Sequence, residues 1–222
     1  MQPQNRKIFL DPFVDLRHWY LEGGGKVYIS ERGVLRLECT GSEQGGVGCM
    51  AFCRQDFPDR IAVNFHLRVH QKNGLLITFV AVRGLHGEDI LRDLPPRRGE
   101  FREYTGNEAP MRSYHVSLSR YDDAGQHTGV SNWRRNPGLH LMAQGPDLCR
   151  EINRPYAVRI EKEGPGCAVF VDGVPGPSFT DPGALPDELP ASGKIGFRAI
   201  GSNVVADISN FEVSVLGRSE PQ

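Results

Sequence analysis

The sequence predicts an all-β fold, a jelly-roll sandwich of two antiparallel sheets, and three observations carry that expectation. Hydrophobic alternation with period two dominates the chain. Roughly ten or more short strand-like runs are separated by turn signals at roughly 8–12-residue spacing, as sandwiches and jelly rolls require. The 26 glycines and 16 prolines are spread along the whole length, which supplies the turns between those strands.

In chain order, 26–30 (KVYIS) and 34–39 (VLRLEC) read as strands joined by the turn Glu31-Arg32-Gly33. Residues 60–70 (RIAVNFHLRVH) put Ile61, Val63, Phe65, Leu67 and Val69 on one face, with Asn64, His66, Arg68 and His70 on the other. The run 75–82 (LLITFVAV) is apolar on both faces, the pattern of a central strand covered twice. Glu88 to Leu94 reads as one helical turn stopped by Pro95-Pro96. In 113–119 (SYHVSLS), Tyr114, Val116 and Leu118 share a face, opposite His115, Ser117 and Ser119. The segment 121–138 reads as a long loop. Strands resume at 156–162 (YAVRIEK) and 167–171 (CAVFV), the second running into the hairpin signal Asp172-Gly173. Two closing strands are read at 194–200 and 204–216. No repeat, low-complexity block or linker divides the chain, so residues 1–222 are expected to form one sandwich domain.

Composition excludes several classes. Hydrophobic residues make up 39% and charged residues 24%, a globular balance and not a disordered one. With 26 basic and 27 acidic residues there is no global field to hold a phosphate backbone, so nucleic acid is not an expected partner. The local run Arg97-Arg98, Arg102 is read as a solvated loop. The opening MQPQNRKIFLDPF has no apolar h-region or small-residue cleavage site, and no stretch approaches the roughly 18 apolar residues of a membrane span. A cytoplasmic protein without membrane attachment is the expectation. The five cysteines, Cys39, Cys49, Cys53, Cys149 and Cys167, are expected to be reduced. Cys49 and Cys53 lack the second pair that a zinc site needs, and neither a metal nor a cofactor is expected. The chain also lacks a G-x-S-x-G elbow, a phosphate-binding loop, a dinucleotide fingerprint and the E-x-D-x-x-E strand motif of many glucanases.

In such a sandwich, chemistry belongs on the outward polar faces, where a recessed sheet makes a groove suited to an oligosaccharide. His66, Arg68 and His70 on one strand and His115, Ser117 and Ser119 on another are unusual for a merely solvated surface. A single strand histidine is more often a packing residue, but titratable groups gathered in a cleft mark sites. His115 is the first candidate acid or base, with Tyr114 beside it and Arg120 after it, and Tyr104 is the second. Trp133 either stacks on a sugar ring or pins its segment to the core. Its neighbours Asn132, Arg134, Arg135 and Asn136 offer polar and cationic contacts, the arginines suiting an acidic group. Glu88 and Asp89 form the best carboxylate pair. Glu161 and Glu163, with Arg159 and Lys162 nearby, read as a solvated salt-bridge row.

Six segments, FVAVRGLHGEDIL (79–91), RRGEFREYTG (97–106), YHVSLSRY (114–121), SNWRRNPGLHLMAQGPD (131–147), YAVRIEKEGPGCAVFVDG (156–173) and GKIGFRAIGSNVVADISNFEV (193–213), together resemble the YesU-like family, domain of unknown function 1961. The resemblance spans roughly two thirds of the chain. It implies a concanavalin A-like fold of the lectin and glucanase kind. It also implies a role in bacterial use of plant polysaccharides such as rhamnogalacturonan, late in the process and on imported oligosaccharides. Matching positions are Glu88, Asp89, Tyr104, Tyr114, His115, Ser117, Arg120, Asn132, Arg134 and Arg135; Arg135 stands where a lysine is usual, and Leu91 and Leu118 where an aromatic is.

Two functions follow as expectations. The first is an enzyme that cleaves or modifies an oligosaccharide, possibly uronate-containing. A lyase would use Tyr104 or His115 as acid and base with Arg120 or Arg134 on the carboxylate; a hydrolase would use Glu88 or Asp89. Tyr114, Ser117, Arg120, Asn132, Trp133, Arg134, Arg135 and His66 are the candidate substrate contacts. The second is a lectin-like binding module, ranked lower because titratable groups outnumber aromatics on the polar faces. Pairing of sheet edges into a homodimer is compatible with either.

Overall fold

In a computed structural model that describes residues 5–40, 48–185 and 188–217, fourteen strands and one short helix are found among the described residues. In chain order the strands are β1 (Arg6–Asp11), β2 (Trp19–Gly23), β3 (Lys26–Ile29), β4 (Leu35–Thr40), β5 (Cys49–Cys53), β6 (Ile61–Val69) and β7 (Asn73–Gly84). Helix α1 (Arg102–Thr105) precedes β8 (Met111–Leu118), β9 (Val130–Asn136), β10 (His140–Pro146), β11 (Tyr156–Glu163), β12 (Gly166–Val171), β13 (Val174–Thr180) and β14 (Lys194–Val215). Every pairing is antiparallel.

The two closing strands read from the sequence are one 22-residue strand, β14, and it belongs to both layers. Its first half, 194–200, lies between β7 and β5, and the layer continues through β8, β9 and β10 on one side and β2 on the other. Its second half, 203–215, lies between β6 and the pair β4 and β1, and that layer continues through β11, β12 and β13. The change of layer falls at Gly201, where φ is +144°. A Cβ there would sit 2.3 Å from the Asn73 carbonyl oxygen, and one on Gly74 would sit 2.3 Å from that of Ile200. Only glycine at both positions lets β7 and β14 cross this closely.

Inward-facing residues of the two layers form one core that includes Phe65, Leu67, Val116, Trp133, Val158, Ile160, Phe197 and Phe211. Each such side chain contributes roughly 1.5–3 kcal/mol by leaving water. The doubly apolar run 75–82 belongs to a strand buried on both faces. Leu76 and Val80 enter the main core, whereas Ile77, Phe79 and Val82 enter a second cluster on the outside of the first layer. That second cluster exists because the long β7–β8 connection folds back over the layer and buries Ile90 and Tyr104 against it. Strand β5 (CMAFC) is buried at all five positions for the same reason, and so lacks the alternation that would have marked it.

Two further differences from the sequence reading concern the site. The expected loop 121–138 is shorter, because Val130–Asn136 is strand β9 paired to β8. The turn at 88–94 is present as turns, and the helix lies beyond Pro95-Pro96 at Arg102–Thr105.

Candidate functional site

The connection between β7 and β8 covers only part of the outer face of the first layer. The uncovered part is a groove of about 380 Å³. Strand alternation decides what it displays. On β8, Tyr114, Val116 and Leu118 go to the core, which turns His115 and Ser117 into the groove. On β9, Trp133 goes to the core, which turns Asn132 and Arg134 outward beside them; His115 stands directly opposite Arg134 in the ladder. Arg120 reaches the same groove from just past the end of β8. Five of the residues singled out from the sequence thus converge on one place.

The groove also holds residues that the sequence reading passed over. Phe101, Leu75, Ile77 and Ile200 make an apolar wall, and Asp123 contributes an exposed carboxylate. The signal for Ile77 was present in the second apolar face of 75–82, which had to be covered by something. Nothing local to Phe101 announced that its segment was that cover.

The imidazole of His115 is only 3% exposed and packs beside Phe79, ring centroids 4.9 Å apart. Burial drives its pKa down to about 3, and the nearby guanidinium groups of Arg134 and Arg198 push in the same direction. Asn136, whose Nδ2 also donates to Ser113 Oγ, donates to His115 Nδ1 at 2.8 Å. An acceptor Nδ1 in a neutral ring assigns the proton to Nε2, which has no hydrogen-bonding partner among the described residues. His115 is therefore a fixed neutral donor aimed at whatever fills the groove.

Its neighbours are similarly prepared. Asn132 Oδ1 accepts from Gln144 at 2.9 Å, which leaves its amide N–H groups available. Ser117 Oγ accepts from the Asn132 backbone N–H at 3.0 Å. Arg134 donates through one Nη to the Leu139 carbonyl at 2.6 Å and forms no ion pair with a carboxylate among the described residues. The Arg120 side chain likewise has no carboxylate partner among them; its backbone N–H donates to Asp147 at 2.7 Å and its carbonyl accepts from the Thr128 N–H at 2.9 Å. Two guanidinium groups thus line the groove without an ion-pair partner among the described residues, alongside the exposed carboxylate of Asp123.

The remaining candidates lie elsewhere. Tyr114 points into the core and donates to Asp181 at 2.8 Å, and Arg135 pairs with the same carboxylate at 3.0 Å. Trp133 is fully buried and donates to the Pro177 carbonyl at 2.9 Å, so it pins its strand to the core and offers no platform. Tyr104 is sealed under the cover, where it donates to Glu22 at 3.1 Å; burial pushes its hydroxyl well above the ordinary tyrosine range. Glu88 and Asp89 lie outside the groove. Glu88 accepts from the His86 backbone N–H at 2.9 Å; its own backbone N–H and that of His86 lower its pKa. Burial works against ionisation of Asp89, but the Leu91 N–H and the Lys194 ammonium hold its pKa below the ordinary value. His66 sits on the outside of the other layer, bonded to Asn210. Of the expected salt-bridge row, Arg159–Glu161 is present at 2.7 Å, whereas Lys162 faces inward, fully buried, and pairs with Asp59.

All five cysteines are buried and none is in a disulfide, and no group of three or more metal-ligating side chains occurs among the described residues.

Three comparisons bear on this architecture. The family described as Domain of unknown function (DUF1961) matches residues 7–213. The uncharacterized protein YesU of Bacillus subtilis is 29% identical over 189 residues, 83% of each chain. A solved protein of unknown function with a galectin-like fold, also from Bacillus subtilis, superposes with a TM-score of 0.86 at 25% identity, covering 99% of this chain and all of its own. A laminarinase from Rhodothermus marinus superposes with a TM-score of 0.62 at 12% identity over 98% of this chain and 100% of its own, a likeness of fold.

Proposed function

The chain belongs to the DUF1961 family, and from that premise we propose that its groove binds the end of an acidic oligosaccharide, with the sugar carboxylate held between Arg120 and Arg134. The observation that carries this reading is the pair of guanidinium groups with no carboxylate partner among the described residues. Unpaired arginines in a recess are the complement of a planar anion. The other groups suit a sugar ring. Phe101, Leu75, Ile77 and Ile200 offer an apolar wall to its C–H face, while His115 Nε2, the Asn132 amide and Ser117 meet its hydroxyls. The laminarinase that shares the fold supports carbohydrate as the ligand class. Because the cover shuts part of the layer, about 380 Å³ remains open, which suits a chain end better than a long extended segment.

Binding without bond cleavage is the form the groups favour. Efficient acid–base catalysis needs a group that titrates near the working pH. His115 is held neutral, its pKa lies far below that range, and its proton sits on the nitrogen that faces the ligand. A two-carboxylate hydrolysis would need a partner for Asp123 across the groove, and the lining supplies none among the described residues. The enzymatic role ranked first from the sequence therefore yields here to the lectin-like one.

The test is calorimetric titration with di- and trisaccharides ending in galacturonate or glucuronate and with their neutral counterparts, while unsaturated uronate absorbance and reducing ends are followed in parallel. Saturable binding of the acidic set, weakened at least about tenfold by Arg134→Ala, with no product, is the expected result. Equal binding of acidic and neutral ligands would overturn the carboxylate assignment. Appearance of product would overturn the non-catalytic one.

A further inference from the structure

The opposite side of the sandwich carries a second hollow, of about 430 Å³, on the outer faces of β6, β11, β12 and β14. Strand register explains it. Phe170, Arg159 and Asn64 lie side by side across three strands, and in the adjoining row Ala157 faces His66. An exposed alanine flanked by longer side chains leaves a recess, and the half-buried ring of Phe170 walls it.

The polar groups around this recess are held in place by one another. Asn210 stands where the pairing of β14 with β6 slips between Ser209 and Glu212, with φ at +53°. A non-glycine residue in that region is strained, and asparagine tolerates it better than most. In that conformation its Nδ2 donates to His66 Nδ1 at 2.6 Å. The His66 proton is then assigned to Nε2, and the Asn210 amide oxygen is left as an acceptor. Asn64 Oδ1 accepts from Arg159 at 3.2 Å, which leaves its N–H groups to donate. Glu161 compensates the charge of Arg159 at 2.7 Å.

We propose that this recess is a second, independent ligand site that takes a neutral pyranoside. An aromatic face, two directed donors and one acceptor match a ring with C–H groups on one side and hydroxyls at its edge. The charge balance separates this site from the groove. Here the lining arginine is already paired, so a carboxylate gains no free cation and meets Glu161. The assignment stands on the second layer alone and does not need the groove to bind anything.

Titration of the isotope-labelled protein with the methyl pyranosides of glucose, galactose, mannose and rhamnose, followed by NMR at the Asn64 and Asn210 side-chain amides and the His66 ring, tests it. Saturable shifts at millimolar concentration are expected with at least one glycoside. Asn210→Gly relieves the backbone strain, so this variant should be at least as stable as the parent and yet lose the shifts at Asn64 and His66. Phe170→Ala should lose them too, whereas Arg134→Ala in the groove should leave them unchanged. No shift with any of the four glycosides would overturn the proposal, as would binding that survives Asn210→Gly or disappears with Arg134→Ala. Failure of the groove reading would register separately, in the titrations with acidic oligosaccharides.

Discussion

Asn136 donates its side-chain N–H to Nδ1 of His115 across 2.8 Å, and that one bond sets the proton on the face of the imidazole that meets the groove. Burial then forbids the charged form, holding the pKa at about 3 instead of the ordinary 6.5. The consequence for stability has a definite sign. Between these values the unfolded chain takes up a proton that the native ring refuses, so stability is fully present above about pH 6.5 and is lost as pH falls toward 3. The loss reaches at most about 1.4 kcal/mol per pH unit. Urea denaturation at about pH 7 and about pH 4.5 should therefore show wild type losing about 2.5 kcal/mol more than His115→Gln. Equal losses in the two proteins would mean that the ring is accessible and titrates normally.

The buried Arg135–Asp181 pair predicts the opposite of a binding role. Asp181 also accepts from the Tyr114 hydroxyl at 2.8 Å and from the Gly183 N–H at 2.9 Å, so its carboxylate ties β8 and β9 to the chain beyond β13. Asp181→Asn removes a carboxylate charge paired with the buried Arg135 guanidinium and should cost up to about 3–5 kcal/mol. Tyr114→Phe removes one hydrogen bond and should cost about 1 kcal/mol. Chemical denaturation measures both. The folded fraction of each variant should bind groove ligands as wild type does, and a loss of affinity at unchanged stability would return Tyr114 and Arg135 to the site.

How far the sequence disclosed this arrangement depends on whether the pattern was local. Alternation in 113–119 separated His115 and Ser117 from Tyr114, and the structure keeps that separation. The same rule applied to 130–136 sends Trp133 and Arg135 inward and Asn132 and Arg134 outward, as strand β9 does, although the segment by its composition resembles a loop. Its charged and polar residues disguised a strand whose inward arginine has a buried carboxylate waiting. Tyr104, Glu88 and Asp89 were misplaced for another reason. They sit in the β7–β8 connection, and whether a connection lines a groove or seals it is fixed by tertiary contacts such as Glu22 with Arg97, 75 residues apart. Strand β14 defeated local reading in the same way, because Gly201 reads as a break although the chain runs on into the other layer.

The thiols give a simple chemical check on burial. Desolvation pushes Cys49 and Cys53 up to about 12, and burial also raises Cys149 and Cys167 well above the ordinary thiol range. The thiolate is the reactive form, so these side chains should resist alkylation in the native protein. Counting thiols with a chromogenic disulfide at about pH 8 should give none without denaturant and all five in urea. Rapid reaction of any one in the native protein would show that its layer opens locally.

A buried ion pair helps to hold the cover over the first layer. Glu22 on β2 and Arg97 in the β7–β8 connection meet at 2.5 Å with side chains 1% and 4% exposed, and Tyr104 donates to the same carboxylate. Arg97 also packs over the rings of Phe52 and Tyr104, and Arg198 stacks on Tyr104 from β14. Glu22→Gln strands a guanidinium in this apolar cluster, at a cost of about 3–5 kcal/mol to the docking of the cover. The rest of the sandwich keeps its own core, so hydrogen exchange should quicken across 85–110 before it quickens in β6 or β11. Phe101 rides on this cover and forms one wall of the groove. The same substitution should therefore weaken groove ligands although Glu22 does not line the groove, and calorimetry on the folded variant measures that coupling. Exchange that rises uniformly through both layers would mean that the cover and the sandwich unfold as one unit, and that the pair serves the whole fold and not the wall of the groove.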